Sequence, residues 1–297
     1  MENAEISTVF QSYTVIEKIA EGYSGDDKYK LEKDGKYYLL RVGDKSKLAE
    51  KRQEYDRLGN YADKGINTHR PVMFHTTGDK FYSLVSWVDG TPVMDIIKKD
   101  ASQNYYQLGK KVGIELKKLH LTSPIDAKTD WKDTMERKAA VCLENCRRMN
   151  VEFACSKCAE QYILENFSLM SDRPQVALHG DFHWNNCVVD DKGNVGIIDF
   201  SGNNVGDPWY EFGGLLWALE YSDSFANGQI DGYFSAPPSE FWDILKFYVS
   251  LYAFEHFMYS DGTPEDIRNR ICNASRMLNI YGEAFELKIP IFRRLSV

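Results

Sequence analysis

The chain has 297 residues, of which 43% are hydrophobic and 13% aromatic, enough to bury a substantial core as one large domain or two closely associated lobes. It carries 36 basic and 44 acidic side chains, a net charge of −8, which argues against a nucleic-acid-binding protein because such proteins need a basic surface. No window approaches the ~18 consecutive apolar residues of a membrane span, so we expect a soluble cytoplasmic protein without a membrane partner.

The acidic excess is uneven along the chain. Residues 1–90 have a net charge of −1, whereas residues 91–297 have a net charge of −7. An acidic C-terminal part suits a cationic small-molecule partner, although a merely solvated surface produces the same imbalance.

The chain begins with strand patterns separated by turns. Residues 13–19 and 28–31 are predicted strands on either side of a turn that contains Gly22 and Gly25. Glycines in such a turn let backbone amides approach a ligand closely, and they are equally compatible with an ordinary hairpin.

A third strand and a helix follow. Residues 36–42 form the strand, in which Leu39 and Arg41 share one face because strand side chains alternate. Residues 47–61 are a predicted helix, and Glu54 is the expected carboxylate partner of Arg41, with Glu50 as the alternative. The residues of this helix expected to face inward are Leu48, Tyr55 and Leu58. The competing interpretation places Arg41 on an exposed edge strand.

The remaining elements are mostly helical. Residues 81–90 form a strand that ends in a glycine-containing bend, after which residues 105–120 and 136–148 are predicted helices. Further predicted helices cover residues 212–221 and 240–259, separated by a predicted loop over residues 222–238 that is long enough to form a lid or binding segment.

Six cysteines admit two interpretations. The pairs Cys142/Cys146 and Cys155/Cys158 are spaced as in some zinc sites, but the first pair lies in a predicted helix, so reduced thiols are the favoured interpretation. Cys187 and Cys272 are expected to be buried.

Two short motifs in the second half of the chain carry the chemistry. Residues 179–186 read His-Gly-Asp-Phe-His-Trp-Asn-Asn, and residues 197–200 read Ile-Ile-Asp-Phe. The spacing matches the kinase catalytic loop H-x-D-x-x-x-x-N followed by a second, metal-binding aspartate. An attacking alcohol needs a carboxylate to accept its proton, which indicates Asp181 as general base. Mg²⁺ prefers oxygen ligands, which indicates Asn186 and Asp199.

The residues between the motifs predict a β-hairpin. Residues 187–190 and 195–198 are strand-like apolar runs joined by the turn sequence Asp-Lys-Gly-Asn. Because a hairpin brings its ends together, Asn186 and Asp199 can share one ion although they are distant in sequence.

The second motif leads into residues 206–212, which read Gly-Asp-Pro-Trp-Tyr-Glu-Phe. The series H-G-D-x-x-x-x-N, I-D-F and G-D-P-x-x-[DE] resembles the aminoglycoside phosphotransferase family, which is related to choline, homoserine, methylthioribose and fructosamine kinases. The resemblance spans nearly the whole chain. It implies an α+β, protein-kinase-like two-lobed fold, ATP or GTP with Mg²⁺, and a small-molecule hydroxyl as acceptor.

The resemblance also implies a division of labour. Residues 1–90 would form a small β-rich nucleotide-binding lobe with a hinge near residues 86–90, and residues 91–297 a larger, mostly helical lobe with the catalytic loop and the acceptor site. Asp207 and Glu211 would brace the catalytic loop, with His179 buried beside them.

Several residues would then contact the nucleotide. Ser24 and its neighbouring amides would touch the β- or γ-phosphate, and Leu39 would lie against the base. Arg41, paired with Glu54, stands where a phosphate-pairing lysine is usual and can bind the α/β-phosphates with its fork of donors. Backbone groups from Ser86 to Val88 would bind the purine.

The acceptor is the least constrained part of this interpretation. Glu220, Asp223, Asp231 and Glu255 are candidates to bind ammonium groups, and surface solvation is the alternative for each of them. The leading interpretation is phosphorylation of an aminoglycoside or related amino sugar, as in antibiotic resistance.

Other acceptors and one other class of protein remain open. The alternative acceptors are a ketosamine, choline, an amino-alcohol and a macrolide. A non-catalytic nucleotide-binding pseudokinase is the different class, which Arg41 keeps open and the intact catalytic motifs oppose. We expect a monomer or weak dimer.

Overall fold

The computed structural model describes residues 9–20, 25–122, 129–201 and 205–294, apart from the side chain of Arg294. Two compact units make up the chain: Met1–Pro92 with Asn186–Asn203, and Val93–Asn185 with Asn204–Val297. The segment that carries the predicted hairpin therefore groups with the N-terminal residues, which a single boundary at residue 90 does not anticipate. Ser24, expected to contact a phosphate, lies outside the described residues.

The first unit is built on a five-stranded antiparallel sheet. Its strands are β1 (Thr14–Ile19), β2 (Asp27–Lys33), β3 (Lys36–Asp44), β4 (Pro71–Thr77) and β5 (Lys80–Ser86), in the spatial order β1-β2-β3-β5-β4. The strands expected near residues 13–19, 28–31, 36–42 and 81–90 are confirmed. Strand β3 lies at the centre of the sheet, which contradicts the edge-strand interpretation of Arg41.

The two faces of this sheet differ in character because side chains alternate along each strand. One face packs into a buried cluster around Phe10, composed of Tyr29, Leu31, Leu40, Val42, Tyr82 and Leu84. The opposite face carries Lys28 and Arg41, which are register partners on β2 and β3. The unit therefore has one apolar face for stability and one face with charged groups.

Helix α1 (Leu48–Asp63) follows β3, as the sequence predicts. The prediction of its inward-facing residues is only partly correct, because Leu58 is buried whereas Leu48 and Tyr55 are half-buried. The buried positions also include Lys51 and Glu54. Charged residues occupy this face because they form ion pairs there.

The predicted hairpin is confirmed. Strands β8 (Cys187–Val189) and β9 (Val195–Ile197) pair antiparallel, and β6 (Thr91–Pro92) pairs with β8 on its other side. The carboxylate of Asp190 closes the turn by accepting hydrogen bonds from the backbone amides of Lys192 and Asn194. This closure fixes the register of the strands whose ends lie next to Asn186 and Asp199.

The second unit is mainly helical. Its helices are α2 (Val93–Lys99), α3 (Tyr106–Leu121), α4 (Trp131–Arg148), α5 (Ser156–Glu165), α6 (Leu215–Ala218), α7 (Asp223–Phe234), α8 (Ser239–Glu255), α9 (Pro264–Asn279) and α10 (Ile291–Arg294). Strands β7 (Val176–Ala177) and β10 (Val205–Gly206) form a short antiparallel pair. The aromatic helix α8 is almost entirely buried and forms the core of the unit.

The prediction of a loop over residues 222–238 is wrong, because most of this segment is helix α7. Ser222 caps this helix, and Gly228 lies where a Cβ atom would be 2.0 Å from the carbonyl oxygen of Tyr106. Glycine at this position allows α7 to pack closely on α3. Gly228, although glycine is unfavourable inside a helix, is required here by helix packing.

Three smaller findings complete the fold. The helix predicted over 212–221 is wrong in its extent, because Pro208–Gly214 form a 3-10 helix and α6 is short. Cys187 is buried as expected, but Cys272 is exposed, since its side chain lies on the outer face of α9. No helix among the described residues has both the length and the apolarity to cross a bilayer.

Candidate active site

The carboxylate of Asp181 lies on a loop whose backbone is held by buried groups. Its side chain is 61% exposed, and Oδ2 lies 3.5 Å from Nε2 of His183. The backbone amide of Asp181 donates to Nδ1 of the buried His179 at 3.2 Å. Asp181 is thus accessible to a substrate hydroxyl while its backbone is fixed.

Glu211 provides most of this support. It is 4% exposed and accepts hydrogen bonds from the backbone amides of His179 at 3.1 Å and Gly180 at 2.7 Å. Nε2 of His120 lies 2.8 Å from the same carboxylate, and its Nδ1 lies 3.0 Å from the hydroxyl of Tyr233. The expected bracing role of Glu211 is present in the structure, and His120 is a buried supporting group rather than a reacting one.

The environment of Glu211 favours its ionised form. Burial alone raises the pKa of its carboxyl, but the hydrogen bond and charge interaction with His120, together with the Gly180 amide, outweigh burial. The pKa is therefore held below the ordinary value of 4.5.

Asp207 supports the catalytic loop from a greater distance than Glu211. It accepts two hydrogen bonds from Arg173, at 2.6 and 3.1 Å, and one from the hydroxyl of Tyr248 in α8, and it caps the amide of Trp209. These contacts tie the 3-10 helix that carries Glu211 to the core of the unit. Asp207 therefore supports the catalytic loop indirectly, through the segment that carries Glu211.

Replacing Glu211 should destabilise the protein measurably. In the parent protein, backbone amides donate to the Glu211 carboxylate. In Glu211→Gln the side-chain NH₂ group faces these donors and cannot accept from them, so we expect the free energy of unfolding to fall by about 2–4 kcal/mol. Urea unfolding of the variant and of the parent at pH 7 measures the difference. Glu144→Gln is the matched control, because Glu144 is 73% exposed, and it should leave the stability nearly unchanged.

The destabilisation should also depend on pH. Because the folded-state pKa of Glu211 lies below its unfolded-state value, its contribution is complete above about pH 5 and is lost as the pH falls through the lowered pKa. The difference between parent and variant should therefore shrink in acid, and a difference of constant size down to pH 3 would contradict the assignment.

A buried charge network lies in the first unit around Arg41. Nη1 of Arg41 is 3.4 Å from Oε1 of Glu54, so the ion pair expected from the sequence is present. Nη2 of Arg41 lies 2.6 Å from Oδ1 of Asp199, and Nζ of Lys51 lies 3.0 Å from Oε2 of Glu54. Arg41 is only 8% exposed, whereas the alternative partner Glu50 is exposed.

Asp199 is held in an ionised state. Burial raises the pKa of its carboxyl, but the nearby charges of Arg41 and Lys28 outweigh burial and bring the pKa below its ordinary value. Its backbone adopts φ +61°, a left-handed conformation that is uncommon outside glycine and is tolerated by aspartate. The sequence therefore keeps a strained, charged residue at the end of the hairpin.

The residues present fit a hard cation. The carbonyl oxygen of Asn186 accepts a hydrogen bond from the amide of Ile198 at 2.9 Å, so the hairpin brings both ends together as expected. Oδ1 of Asp199 faces Arg41, while its Oδ2 has no hydrogen-bond partner within the part of the chain that the structure describes. One amide oxygen and one carboxylate oxygen form a donor set that suits Mg²⁺.

The metal donors would be few. Across residues 9–20, 25–122, 129–201 and 205–294, no three His, Cys, Asp or Glu side chains are arranged to hold a metal. Mg²⁺ usually keeps waters and phosphate oxygens and takes only one or two protein carboxylates, so Asn186 and Asp199 remain its candidate ligands.

The backbone of the segment predicted to contact the purine is partly hydrogen-bonded. The amide of Ser86 donates to the carbonyl of Arg70 at 2.8 Å, and its carbonyl oxygen lies 2.8 Å from Nδ1 of His69. The amide of Trp87 donates to the carbonyl of Tyr37 at 3.0 Å. Val88 makes no backbone hydrogen bond with the described residues, and its amide stays a predicted contact for the purine.

The four acceptor candidates differ in their surroundings. Glu220 pairs with Arg276 at 2.6 Å, Asp231 is paired with Arg293 at 2.7 Å, and Glu255 is paired with Lys138 at 2.6 Å. Asp223 forms no ion pair with the described residues. Its pKa is raised by partial burial alone.

Glu220 and Asp223 line a cavity of about 210 Å³ in the second unit. The apolar residues of its wall are Leu216, Leu219, Met277, Ile280, Ile291 and Phe292. Arg276 and Asn279 supply further polar groups. The cavity thus combines an apolar surface with charged groups of both signs.

This cavity adjoins the segment that packs on the catalytic loop. A Cβ atom on Gly214 would lie 1.8 Å from the carbonyl oxygen of Phe182, so only glycine allows this close approach. Leu216 follows two residues later. The rings of Trp184 and Tyr221 are 5.3 Å apart, which places the residue next to Glu220 against the same loop.

Two supporting residues were missed from sequence. Nothing in the sequence around His120 signals its contact with Glu211. Lys28 was not singled out, although its position opposite Arg41 could have been inferred from strand pairing and alternation.

Comparison with known proteins gives a consistent result. The model of the phosphotransferase enzyme family matches residues 15–246. A comparison with curated proteins found no match.

Solved structures of similar fold include three informative cases. A thermostable mutant of the aminoglycoside phosphotransferase APH(4)-Ia, in ternary complex with ADP and hygromycin B, has a TM-score of 0.67 and 16% identity, covering 92% of this chain and 96% of that one. The aminoglycoside phosphotransferase APH(3'')-Id from Streptomyces rimosus, in complex with ADP and streptomycin, has a TM-score of 0.55 and 15% identity over 85% and 97%. A putative fructosamine-3-kinase from Haemophilus somnus has a TM-score of 0.58 and 14% identity over 92% and 96%.

These structures share a kinase-like fold with a β-sheet N-terminal region and a helical C-terminal region. At such low identity these structures show the fold alone. The family model, in contrast, matches most of the chain, and the matched residues include the catalytic motifs. The chain therefore belongs to the phosphotransferase enzyme family.

Proposed function

We propose that this protein transfers the γ-phosphate of ATP or GTP, with Mg²⁺, to a hydroxyl of a small amine-bearing molecule, with an aminoglycoside or related amino sugar as the leading acceptor. The observation that carries this proposal is the exposed carboxylate of Asp181 on a loop fixed by the buried Glu211. Such a group can accept the proton of an attacking hydroxyl without rearranging its backbone.

The first unit would hold the donor. Arg41 would bind phosphate oxygens, the amide of Val88 would bind the purine, and Leu39 would lie against the base. Asn186 and Asp199 would hold Mg²⁺, which neutralises the phosphate charge. The buried pairing of Arg41 with Glu54 supports an active arrangement rather than a pseudokinase, because it orients the guanidinium in place of a lysine.

The cavity beside the catalytic loop supports an acceptor with an amine and some apolar surface. Its volume is below the range of about 300–1,000 Å³ typical of ligand pockets, so it suits one aminated ring rather than a whole oligosaccharide. Asp223 would bind the ammonium group because it lacks a cationic partner among the described residues.

A ketosamine is the second candidate acceptor. Such a molecule can carry a carboxylate as well as an amine, and Arg276 on the cavity wall provides a group for the carboxylate. Choline fits less well because its quaternary ammonium has no N–H group to donate to Asp223, and a macrolide fits less well because its ring exceeds the volume of the cavity.

The proposal is tested by a coupled assay of ADP and GDP release. Amino sugars, ketosamines, choline and macrolides are each tested with ATP and with GTP. Amine-dependent phosphate transfer to an amino sugar or a ketosamine is the expected result. Nucleotide binding without transfer to any acceptor would favour the pseudokinase.

The acceptor site is tested by Asp223→Asn. Loss of the carboxylate should raise the KM for the amine-bearing acceptor about tenfold, while the KM for nucleotide stays unchanged. Steady-state kinetics with both substrates varied measures this split. Glu152→Gln, which removes a 75% exposed carboxylate, is the control and should alter neither KM. An unchanged acceptor KM in Asp223→Asn would place the amine elsewhere.

A further inference from the structure

Lys28 is a buried cation on the charged face of the sheet in the first unit. It lies on β2 directly opposite Arg41 on β3, as their register pairing shows. The two residues are both 8% exposed, although lysine and arginine are rarely buried to this extent without a partner. A buried lysine beside the Arg41–Glu54 ion pair therefore requires an explanation in terms of charge.

The partner of Lys28 is the predicted metal ligand. Its Nζ lies 3.5 Å from Oδ1 of Asp199, the same oxygen that accepts a 2.6 Å hydrogen bond from Arg41. Two cations on neighbouring strands thus converge on one carboxylate oxygen. Lys28 makes no other ion pair with the described residues, whereas Arg41 is also held by Glu54.

The two cations are held to different degrees. Arg41 contacts two carboxylates through two different nitrogens, so its guanidinium is fixed in position. Lys28 has a single, longer contact and ends in a compact ammonium on a flexible stem, which is well suited to move a short distance toward an anion.

Resting on the proposed function, we infer that Lys28 supplies the ammonium that binds the nucleotide phosphates, so that the phosphate-binding lysine of this protein lies on β2 rather than at position 41 on β3. Arg41, fixed between Glu54 and Asp199, adds a second and less mobile contact to the phosphate oxygens. When the phosphates arrive, Lys28 exchanges one anionic partner, Asp199, for another, and the Asp199 carboxylate becomes more available to a cation.

The test compares a nucleoside with its diphosphate. Binding of adenosine and of ADP to the full-length chain is measured by calorimetry with excess Mg²⁺, for the parent and for Lys28→Met; guanosine and GDP are used if the parent prefers guanine. Lys28→Met should weaken ADP binding about ten- to a hundredfold, as expected for loss of a charge-assisted phosphate contact, and leave adenosine binding unchanged.

The controls separate this role from a structural one. Lys33→Met removes the same charge from the same strand, but alternation places Lys33 on the opposite face, so the ratio of ADP to adenosine affinity should not change. If Lys28→Met unfolds at the assay temperature, Lys28→Gln replaces it. A variant in which both affinities fall together would show that Lys28 only supports the packing of the sheet, and would overturn the inference.

The outcome also distinguishes this inference from the proposed function. A parent protein that binds neither ADP nor GDP contradicts the proposed function and this inference with it. If the parent binds the diphosphate and Lys28→Met has the same ratio of ADP affinity to adenosine affinity as the parent, only the assignment of Lys28 is overturned.

Discussion

Asp181→Asn is expected to reduce turnover by about 10²–10⁴-fold while nucleotide binding remains at the parental level. The substitution keeps the size and the loop geometry of the residue but removes the group that accepts the proton of the attacking hydroxyl. Because Glu211 and His179 hold the backbone of the loop independently of the Asp181 carboxylate, the variant should also unfold at the parental temperature.

The measurement needs three readouts on the same preparation. Steady-state turnover with the acceptor found in the release assay gives kcat, calorimetry gives the affinity for nucleotide, and thermal unfolding gives stability. Asp191→Asn, in the exposed hairpin turn, removes a charge without touching the loop and should retain full turnover. Turnover of Asp181→Asn within a few fold of the parent would remove Asp181 as the general base.

The part of the fold that sequence predicts well is the part with a strong local pattern. The hairpin around residues 187–198 was predicted because apolar runs flank a turn, and Asp190 closes that turn in the structure. Strand β4 was not predicted because most of its side chains are exposed and show no alternation. Helix α7 was mistaken for a loop, since only the tertiary contact with α3 reveals why Gly228 is needed.

The candidate site was predictable to a similar extent. Asp181, Asn186 and Asp199 follow from motif spacing, and Glu54 follows from its position on the helix after Arg41. The missed groups, Lys28 and His120, act through neighbours that are distant in sequence: Lys28 is 171 residues from Asp199, and His120 is 91 residues from Glu211. Residue type alone predicts that charged side chains are exposed, so burial by a distant partner cannot be inferred from the sequence.

The acceptor candidates differ in a way that the sequence does not show. Four acidic residues are candidates to bind ammonium groups, and Glu220, Asp231 and Glu255 each have a basic partner within the second unit. Net charge counts residues without regard to pairing. Of the four candidates we therefore propose Asp223, whose carboxylate has no cationic partner among the described residues.

Asp199→Ala is expected to abolish the gain in nucleotide affinity that Mg²⁺ provides, and to lower turnover about a thousandfold or more. The variant loses the only candidate carboxylate ligand for the ion, so titration of ADP with and without Mg²⁺ should give the same affinity.

In the absence of Mg²⁺ the variant should behave differently. Removing Asp199 frees Arg41 and Lys28 from the carboxylate oxygen that both contact, so metal-free ADP should bind at least as tightly as it binds to the parent. Asp191→Asn, in the exposed hairpin turn, controls for loss of a carboxylate in the same segment and should keep the Mg²⁺ effect. A Mg²⁺-dependent gain of parental size in Asp199→Ala would show that the ion is held by other groups, because alanine offers no side-chain oxygen with which to bind it.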